Sequence, residues 1–271
     1  MSSDLSGKVA FITGVARGQG RAHALRLARD GAAIIGVDIC ADIPSMSYPN
    51  ASRADLDETQ KLVEAEGGQI LTGVADVRDQ AALRTVFEEG LIEFGRIDIV
   101  IANAGIIRFT EDDPVAEWHD IIDVNLTGVW NACRVAIPAL VEGGRGGSIV
   151  ITSSTAGLKG TGTDAAGGQA YAAAKRGLVG LMQVFANDLA PHNIRVNTIH
   201  PTGVSTGMLN NQAFVDFVAA NTAGLTAMQN ALPVEILQAD DIAEVVAWLV
   251  SDAARYLTGV QLPVDAGFAV R

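Results

Sequence analysis

Tyr171 and Lys175 stand four residues apart in the run Tyr171-Ala-Ala-Ala-Lys175, a spacing that puts both side chains on one face of a helix. A phenol with a pKa of about 10 is a poor acid–base group at neutral pH, and a neighbouring ammonium favours the phenolate. The same spacing also suits a surface lysine beside a half-buried tyrosine. Just upstream, Ser153-Ser154 closes an apolar run, where a hydroxyl could polarise a substrate oxygen. Neighbouring strand residues face opposite sides, so Ser154 is the candidate and Ser153 the substitute. Asn103-Ala104-Gly105 closes another apolar run and suits a tight turn, while Asn125 falls in the helical segment that follows. An exposed or locally bonded amide is the plain reading of Asn125.

A second group of residues suits phosphate. Thr13-Gly14-Val15-Ala16-Arg17-Gly18-Gln19-Gly20 follows the first apolar run and opens a helical pattern. Glycines there permit positive φ and let backbone amides approach a pyrophosphate at the positive end of the helix dipole. A plain tight turn is the alternative. Asp38 ends the second apolar run at the distance expected of a carboxylate that bonds ribose hydroxyls. Its charge would repel a 2′-phosphate, which favours NAD over NADP. Arg17 could greet that phosphate, or it could be a solvent-facing cation near the pyrophosphate. Asp38 outweighs it.

The elements that must position these groups alternate along the chain. Strand candidates are Val9–Thr13, Ala33–Val37, Ile70–Val74, Ile97–Ala102, Ser148–Thr152, Arg195–Ile199 and Val260–Val264. Nearly all are apolar on both faces, as in a parallel sheet covered by helices. Helical patterns run over Arg21–Asp30, Asp55–Glu66, Gln80–Phe94, Val115–Leu140, Tyr171–Ala190 and Asp240–Ser251. The alternation predicts an α/β fold of one domain over 1–271, a Rossmann-type doubly wound parallel sheet of about seven strands with helices on both faces. Three segments interrupt it: an insertion at 38–54, a glycine-rich stretch at 155–170, and a long connection at 201–238. The last carries Met208, Leu209, Phe214, Phe217, Leu225 and Met228, which suit either a lid over a hydrophobic substrate or short helices packing ordinary core.

Composition mostly excludes. With 271 residues, 49% hydrophobic, the chain can build a core, and a net charge of −12 argues against a nucleic-acid partner. No apolar stretch nears about 18 residues without a charge, Gly or Pro, and the first residues carry no basic leader, so no membrane is expected. Cys40 and Cys133 form neither a disulfide framework nor a metal spacing, and His23, His119, His192 and His200 are isolated. A cytoplasmic protein without a metal is expected. The serines lack the flanking glycines of a hydrolase nucleophile elbow.

In combination these motifs resemble the short-chain dehydrogenase/reductases from Lys8 to about Phe268. They occur in that family's order: the glycine loop at 13–20, Asp38, Asp76-Val77, Asn103-Ala104-Gly105, Asn125, Ser154, Tyr171 and Lys175. The resemblance implies that Tyr171 is the general acid–base and that Lys175 binds the nicotinamide ribose and lowers the tyrosine pKa. By the same resemblance Ser154 holds the substrate oxygen and Asn125 anchors a water in a proton relay. Cofactor contacts are implied for Gly14, Arg17, Gly18, Gln19, Gly20, Asp38, Ile39, Asp76, Val77, Asn103, Ala104, Gly105, Tyr171 and Lys175. Thr206 is implied to bond the nicotinamide carboxamide, and Val204 to add backbone contacts nearby. Two departures stand out. Ser154 and Tyr171 are farther apart than usual, and Pro201-Thr202-Gly203 replaces the common Pro-Gly pair.

Within the family the chain is similar to the carveol-dehydrogenase-like, mycofactocin-associated group, through VDICADIP, ARGQGR and HPTGV. That similarity implies oxidation of a secondary alcohol, such as a terpenoid, to a ketone. It also implies tightly bound, non-exchanging NAD that passes electrons to a separate carrier, and a homotetramer. The alternative within the class is a 3-oxoacyl-carrier-protein reductase, which Asp38 and the acidity disfavour. A catalytically silent NAD-binding scaffold would be expected to lose Tyr171, Lys175 or Ser154, and all three are present.

Overall fold

The computed structural model describes residues 4–160, 164–221 and 229–271. Seven strands, β1 (Val9–Thr13), β2 (Ala33–Asp38), β3 (Ile70–Val74), β4 (Ile99–Ala102), β5 (Gly147–Thr152), β6 (Ile194–Pro201) and β7 (Gln261–Val264), form one parallel sheet in the order β3-β2-β1-β4-β5-β6-β7. The central strands are buried on both faces: all of β1 and β4 is core. The edge strands β3 and β7 are only partly covered, because each lacks a neighbour on one side.

Helices cover both faces. They are α1 (Gly18–Arg29), α2 (Arg53–Ala65), α3 (Gln80–Phe94), α4 (Pro114–Ile122), α5 (Gly128–Gly143), α6 (Ala166–Leu189), α7 (Gln212–Ala220) and α8 (Ala239–Val250). Each right-handed crossover returns the chain to a parallel neighbour, and the direction of travel reverses between β1 and β4. At that switch the loops leaving the two strands separate and open a crevice, where open α/β sheets bind their ligands.

The expected helix over 115–140 is two helices joined by a π-helical turn at Asp123–Thr127, and Asn125 sits in that turn. Helix α6 begins at Ala166, five residues before Tyr171, so the glycine-rich loop is shorter than 155–170. The glycine at 167 allows this start, because a Cβ there would lie 2.8 Å from the Arg108 carbonyl oxygen. Residues 161–163 of that stretch, and Leu225 and Met228 of the long connection, lie outside the described residues.

Candidate active site

The phosphate end is shaped by contact between backbones. A Cβ on Gly20 would fall 1.9 Å from the Gly14 carbonyl oxygen, and one on Gly14 would fall 2.9 Å from Ala104 Cα. Gly14 also has φ +71°, so only glycine lets β1 turn into α1 here while touching the loop after β4. Thr13 fastens the two loops. Its hydroxyl accepts from the N–H groups of Asn103 and Ala104, both at 3.1 Å, while the Asn103 amide donates to the Thr13 carbonyl. Asn103 therefore braces the switch point, and Thr13, which the sequence did not single out, is its partner. The cradle that results fits a pyrophosphate.

An open cleft of about 900 Å³ runs along these loops, lined by Gly14, Gly18, Gln19, Asp38, Ile39, Asp76, Val77, Asn103, Ala104, Gly105 and Thr206. Asp38 is buried and accepts from the Ala16 N–H at 3.0 Å, with a longer contact from Cys40 N–H. Burial raises its pKa, while those backbone bonds oppose the rise. Asp76 lines the cleft but is paired with Arg78 at 2.7 Å, and Arg78 continues to Asp120 at 2.6 Å. Any adenine contact from Asp76 would therefore come from a carboxylate already neutralised. Val204 does not line the cleft. It forms a parallel bridge with Leu237 through the groups on either side of it, which leaves its own N–H and C=O unused by that bridge.

The chemical end begins where the cleft reaches Gly105. A Cβ there would meet Asn125 Oδ1 at 2.7 Å and Lys175 Nζ at 3.4 Å. Asn125 is fully buried. It accepts from Ile106 N–H at 3.2 Å and donates to the carbonyls of Ile106 and Ile121 at 2.8 and 2.9 Å. Both amide hydrogens are thus committed, and the second lone pair of Oδ1 is what its side chain can still offer a water. The Ser154 side chain lies near enough to the Tyr171 phenol to favour its ionised form, and its hydroxyl oxygen accepts from Ala156 N–H at 3.2 Å. Ser153 donates instead to the Lys175 carbonyl at 2.8 Å.

Lys175 donates to the Thr152 carbonyl at 2.8 Å, and its Nζ lies 5.5 Å from the centre of the Tyr171 ring. Here the expectation of a depressed tyrosine pKa is not met. Burial raises the Tyr171 pKa, the Ser154 side chain opposes the rise, and burial pushes Lys175 down to about 7. Desolvation is the largest influence on both groups in the free chain.

The family model described as enoyl-(acyl carrier protein) reductase matches residues 14–269. The chain belongs to the short-chain dehydrogenase/reductase family. It is 57% identical over 267 residues to an uncharacterised oxidoreductase of Mycobacterium tuberculosis, covering 97% of each chain. It is 44% identical to the (−)-trans-carveol dehydrogenase of Rhodococcus erythropolis, covering 98% of this chain and 99% of that one. The crystal structure of a carveol dehydrogenase from Mycobacterium avium in complex with NAD superposes with a TM-score of 0.91 at 44% identity, covering 99% of this chain and 100% of that one.

As a short-chain dehydrogenase/reductase this chain is an NAD-dependent oxidoreductase. Asp38→Asn keeps an acceptor for Ala16 N–H and removes the carboxylate charge. NAD affinity should then fall about tenfold, the worth of one charge-assisted hydrogen bond. NADP should bind better than it does to the parent, and titrating both nucleotides checks this. An unchanged preference would remove Asp38 from cofactor selection.

Two segments roof the site. The 38–54 insertion is fastened at several points, one of them Ser45 Oγ donating to Asp120 at 2.5 Å. Pro49 carbonyl accepts from Arg17 Nη2 at 2.7 Å, Tyr48 Oη accepts from Ile107 N–H at 3.2 Å, and Ser45 carbonyl accepts from Arg108. Arg17 is part-exposed and lines the cleft beside the glycine loop. It ties the insertion down, and a Cβ on the residue at 207 would lie 2.9 Å from its guanidinium carbon. From the other side α7, none of whose residues is fully buried, lays Phe214 and Phe217 against Phe109, with ring centres 5.1 and 5.3 Å apart. Partial exposure favours the lid reading over ordinary core. Tyr48, Phe109 and Arg108 carried no local signal, because each acts through a partner distant in sequence. Among the described residues no group of three His, Cys, Asp or Glu side chains could hold a metal.

Proposed function

We propose that the chain oxidises a small hydrophobic secondary alcohol to a ketone, with Tyr171 as the proton acceptor. The reading is carried by one observation: Lys175 Nζ stands 5.5 Å from the centre of the Tyr171 ring and meets the cleft at Gly105, with the Ser154 side chain close to the phenol. NAD, when bound, supplies the hydride acceptor. Ser154 would hold the carbinol oxygen, and Tyr171 would take its proton as the carbon–oxygen double bond forms. Lys175 would bond the nicotinamide ribose and stabilise the phenolate, Asn125 would hold a relay water, and Thr206 and the Val204 backbone would meet the nicotinamide end.

Carveol is the first substrate to try, because relatives that act on it share 44% identity over nearly their whole length. Phe214 and Phe217 of α7, clustered with Phe109, would supply an apolar wall for such a ring if α7 closes over it. A panel of secondary alcohols assayed with an artificial electron acceptor tests the reading, since it registers turnover even if NAD never leaves. Failure of every alcohol, with ketoacyl thioesters reduced instead, would favour the carrier-protein reductase alternative.

The same reading includes slow cofactor exchange, with electrons passing to an external carrier of the mycofactocin type. Its support is the fastening of the insertion to the glycine loop through Arg17 and to the loop after β4 through Ile107 and Arg108. Arg17→Ala should speed NAD release about tenfold, as expected for one lost hydrogen bond from a charged donor. Exchange of bound NAD against labelled NAD measures this, and a parent protein that exchanges freely would contradict sequestration. A cytoplasmic homotetramer completes the reading. It is supported by Trp118, Trp130 and Val184, which stand 39%, 42% and 55% exposed on α4, α5 and α6.

A further inference from the structure

His200 is fully buried at the end of β6 and takes no part in the chemistry described above. One ring nitrogen, Nδ1, lies 2.8 Å from the Ser154 carbonyl oxygen, and the other, Nε2, lies 2.8 Å from Thr198 Oγ1. A carbonyl can only accept, so Nδ1 carries the proton and Nε2 accepts from the Thr198 hydroxyl. Burial, with Lys175 and Arg176 nearby, lowers the pKa of the ring, while the Ser154 bond and Asp265 oppose the shift. A neutral ring with this one tautomer follows.

The arrangement answers a structural need. The β5–β6 ladder ends at Thr152↔Ile199, and the next residue of β6 after His200 is Pro201, which has no N–H to extend it. Beyond the ladder Ser153 N–H still donates to the Ile199 carbonyl and Gly157 N–H to the Ser154 carbonyl, both at 2.9 Å, and side chains make the other contacts of residues 152–154. Lys175 takes the Thr152 carbonyl, Ser153 reaches back to the Lys175 carbonyl, and His200 takes the Ser154 carbonyl. His200 is the one of these three contacts that comes from β6. It shares the Ser154 carbonyl with Gly157 N–H and so braces, from β6, the residue whose hydroxyl also accepts from Ala156 N–H at 3.2 Å.

We propose that His200 is a positioning residue whose Nδ1–H, by holding the Ser154 carbonyl, fixes the Ser154 hydroxyl against Tyr171. This rests on the dehydrogenase reading for its turnover assay, and one arm of the test does not. Asparagine can place an amide N–H where Nδ1 stands, glutamine reaches toward Nε2 instead, and leucine offers no donor. With carveol or cyclohexanol and an artificial acceptor, His200→Leu and His200→Gln should lower kcat about tenfold, the worth of one hydrogen bond. His200→Asn should recover most of it, with KM for NAD constant throughout.

If His200 acts through Ser154, His200→Leu should cost nothing further in a Ser154→Ala background. Equal kcat for the leucine and asparagine variants, or full additivity with Ser154→Ala, would overturn the proposal.

The second arm needs no substrate. The Ser154 side chain lowers the Tyr171 pKa, so the tyrosine resonance of 13C-labelled protein should titrate at higher pH in His200→Leu and at the parent pH in His200→Asn. Identical titrations in the two variants would also overturn it. An inactive parent protein with the expected titrations would count against the dehydrogenase reading and for the role of His200.

Discussion

Tyr171→Phe should lower alcohol turnover by about 10²–10⁴-fold, the usual worth of a positioned acid–base group, and leave NAD affinity nearly unchanged. The substitution removes one oxygen. The ring stays against the core cluster it packs on, and Lys175 stays over its face, so the fold has no reason to change. What disappears is the proton acceptor beside Ser154. Because burial raises the Tyr171 pKa, oxidation, which needs the phenolate, should accelerate as pH rises through the alkaline range. Ketone reduction, which needs the phenol, should slow over the same range. Steady-state rates in both directions against pH check the pair of trends, and a variant that keeps parental turnover would refute the role of Tyr171.

Lys175→Met should also abolish most turnover, about 10²-fold or more, yet it should make the cofactor-free protein more stable near neutral pH. Lys175 is 3% exposed, and among the described residues its hydrogen-bond partner is the Thr152 carbonyl. Its pKa falls from 10.5 unfolded to about 7 folded. Between those values the unfolded chain binds the extra proton, so stability contributed by this site rises with pH from about 7 to 10.5 and is lowest below 7. Methionine removes both the penalty and its pH dependence. Thermal unfolding of parent and variant at several pH values between 6 and 10 would show the curves converging at high pH. A variant less stable than the parent at pH 6 would contradict the picture of a destabilising buried cation.

The two variants also separate what sequence could and could not reveal. Strands such as Val9–Thr13 and Ser148–Thr152 were legible, because a parallel sheet buried on both faces demands continuous apolar runs. The glycines at 14, 18 and 20 were legible for a related reason: few other residues survive where two backbones touch. By contrast, the break between α4 and α5 carries no helix-stop residue, since a π-helical turn keeps the chain helical from one helix into the next. The early start of α6 was hidden by glycines that read as loop and are there to admit the Arg108 carbonyl.

Site residues divided in the same way. Tyr171, Lys175 and Ser154 were visible through short spacing and motif order. Arg17 was visible as a cation, but its partner, the Pro49 carbonyl, lies 32 residues away. His200 looked like a stray histidine until β6 set it beside β5. The balance of the tyrosine–lysine pair was also beyond the sequence, because attraction between neighbours shows in a spacing and desolvation does not.

The central claim is that this site moves hydride from a secondary alcohol to NAD while Tyr171 takes the proton. A single-turnover experiment tests it most directly. Protein loaded with NAD is mixed with carveol carrying deuterium on its carbinol carbon, and the cofactor is recovered and analysed by mass. The account predicts one deuterium per cofactor in the parent protein and almost none on the same timescale in Tyr171→Phe. Deuterium-free cofactor from the parent protein, or equal labelling in the two proteins, would contradict it.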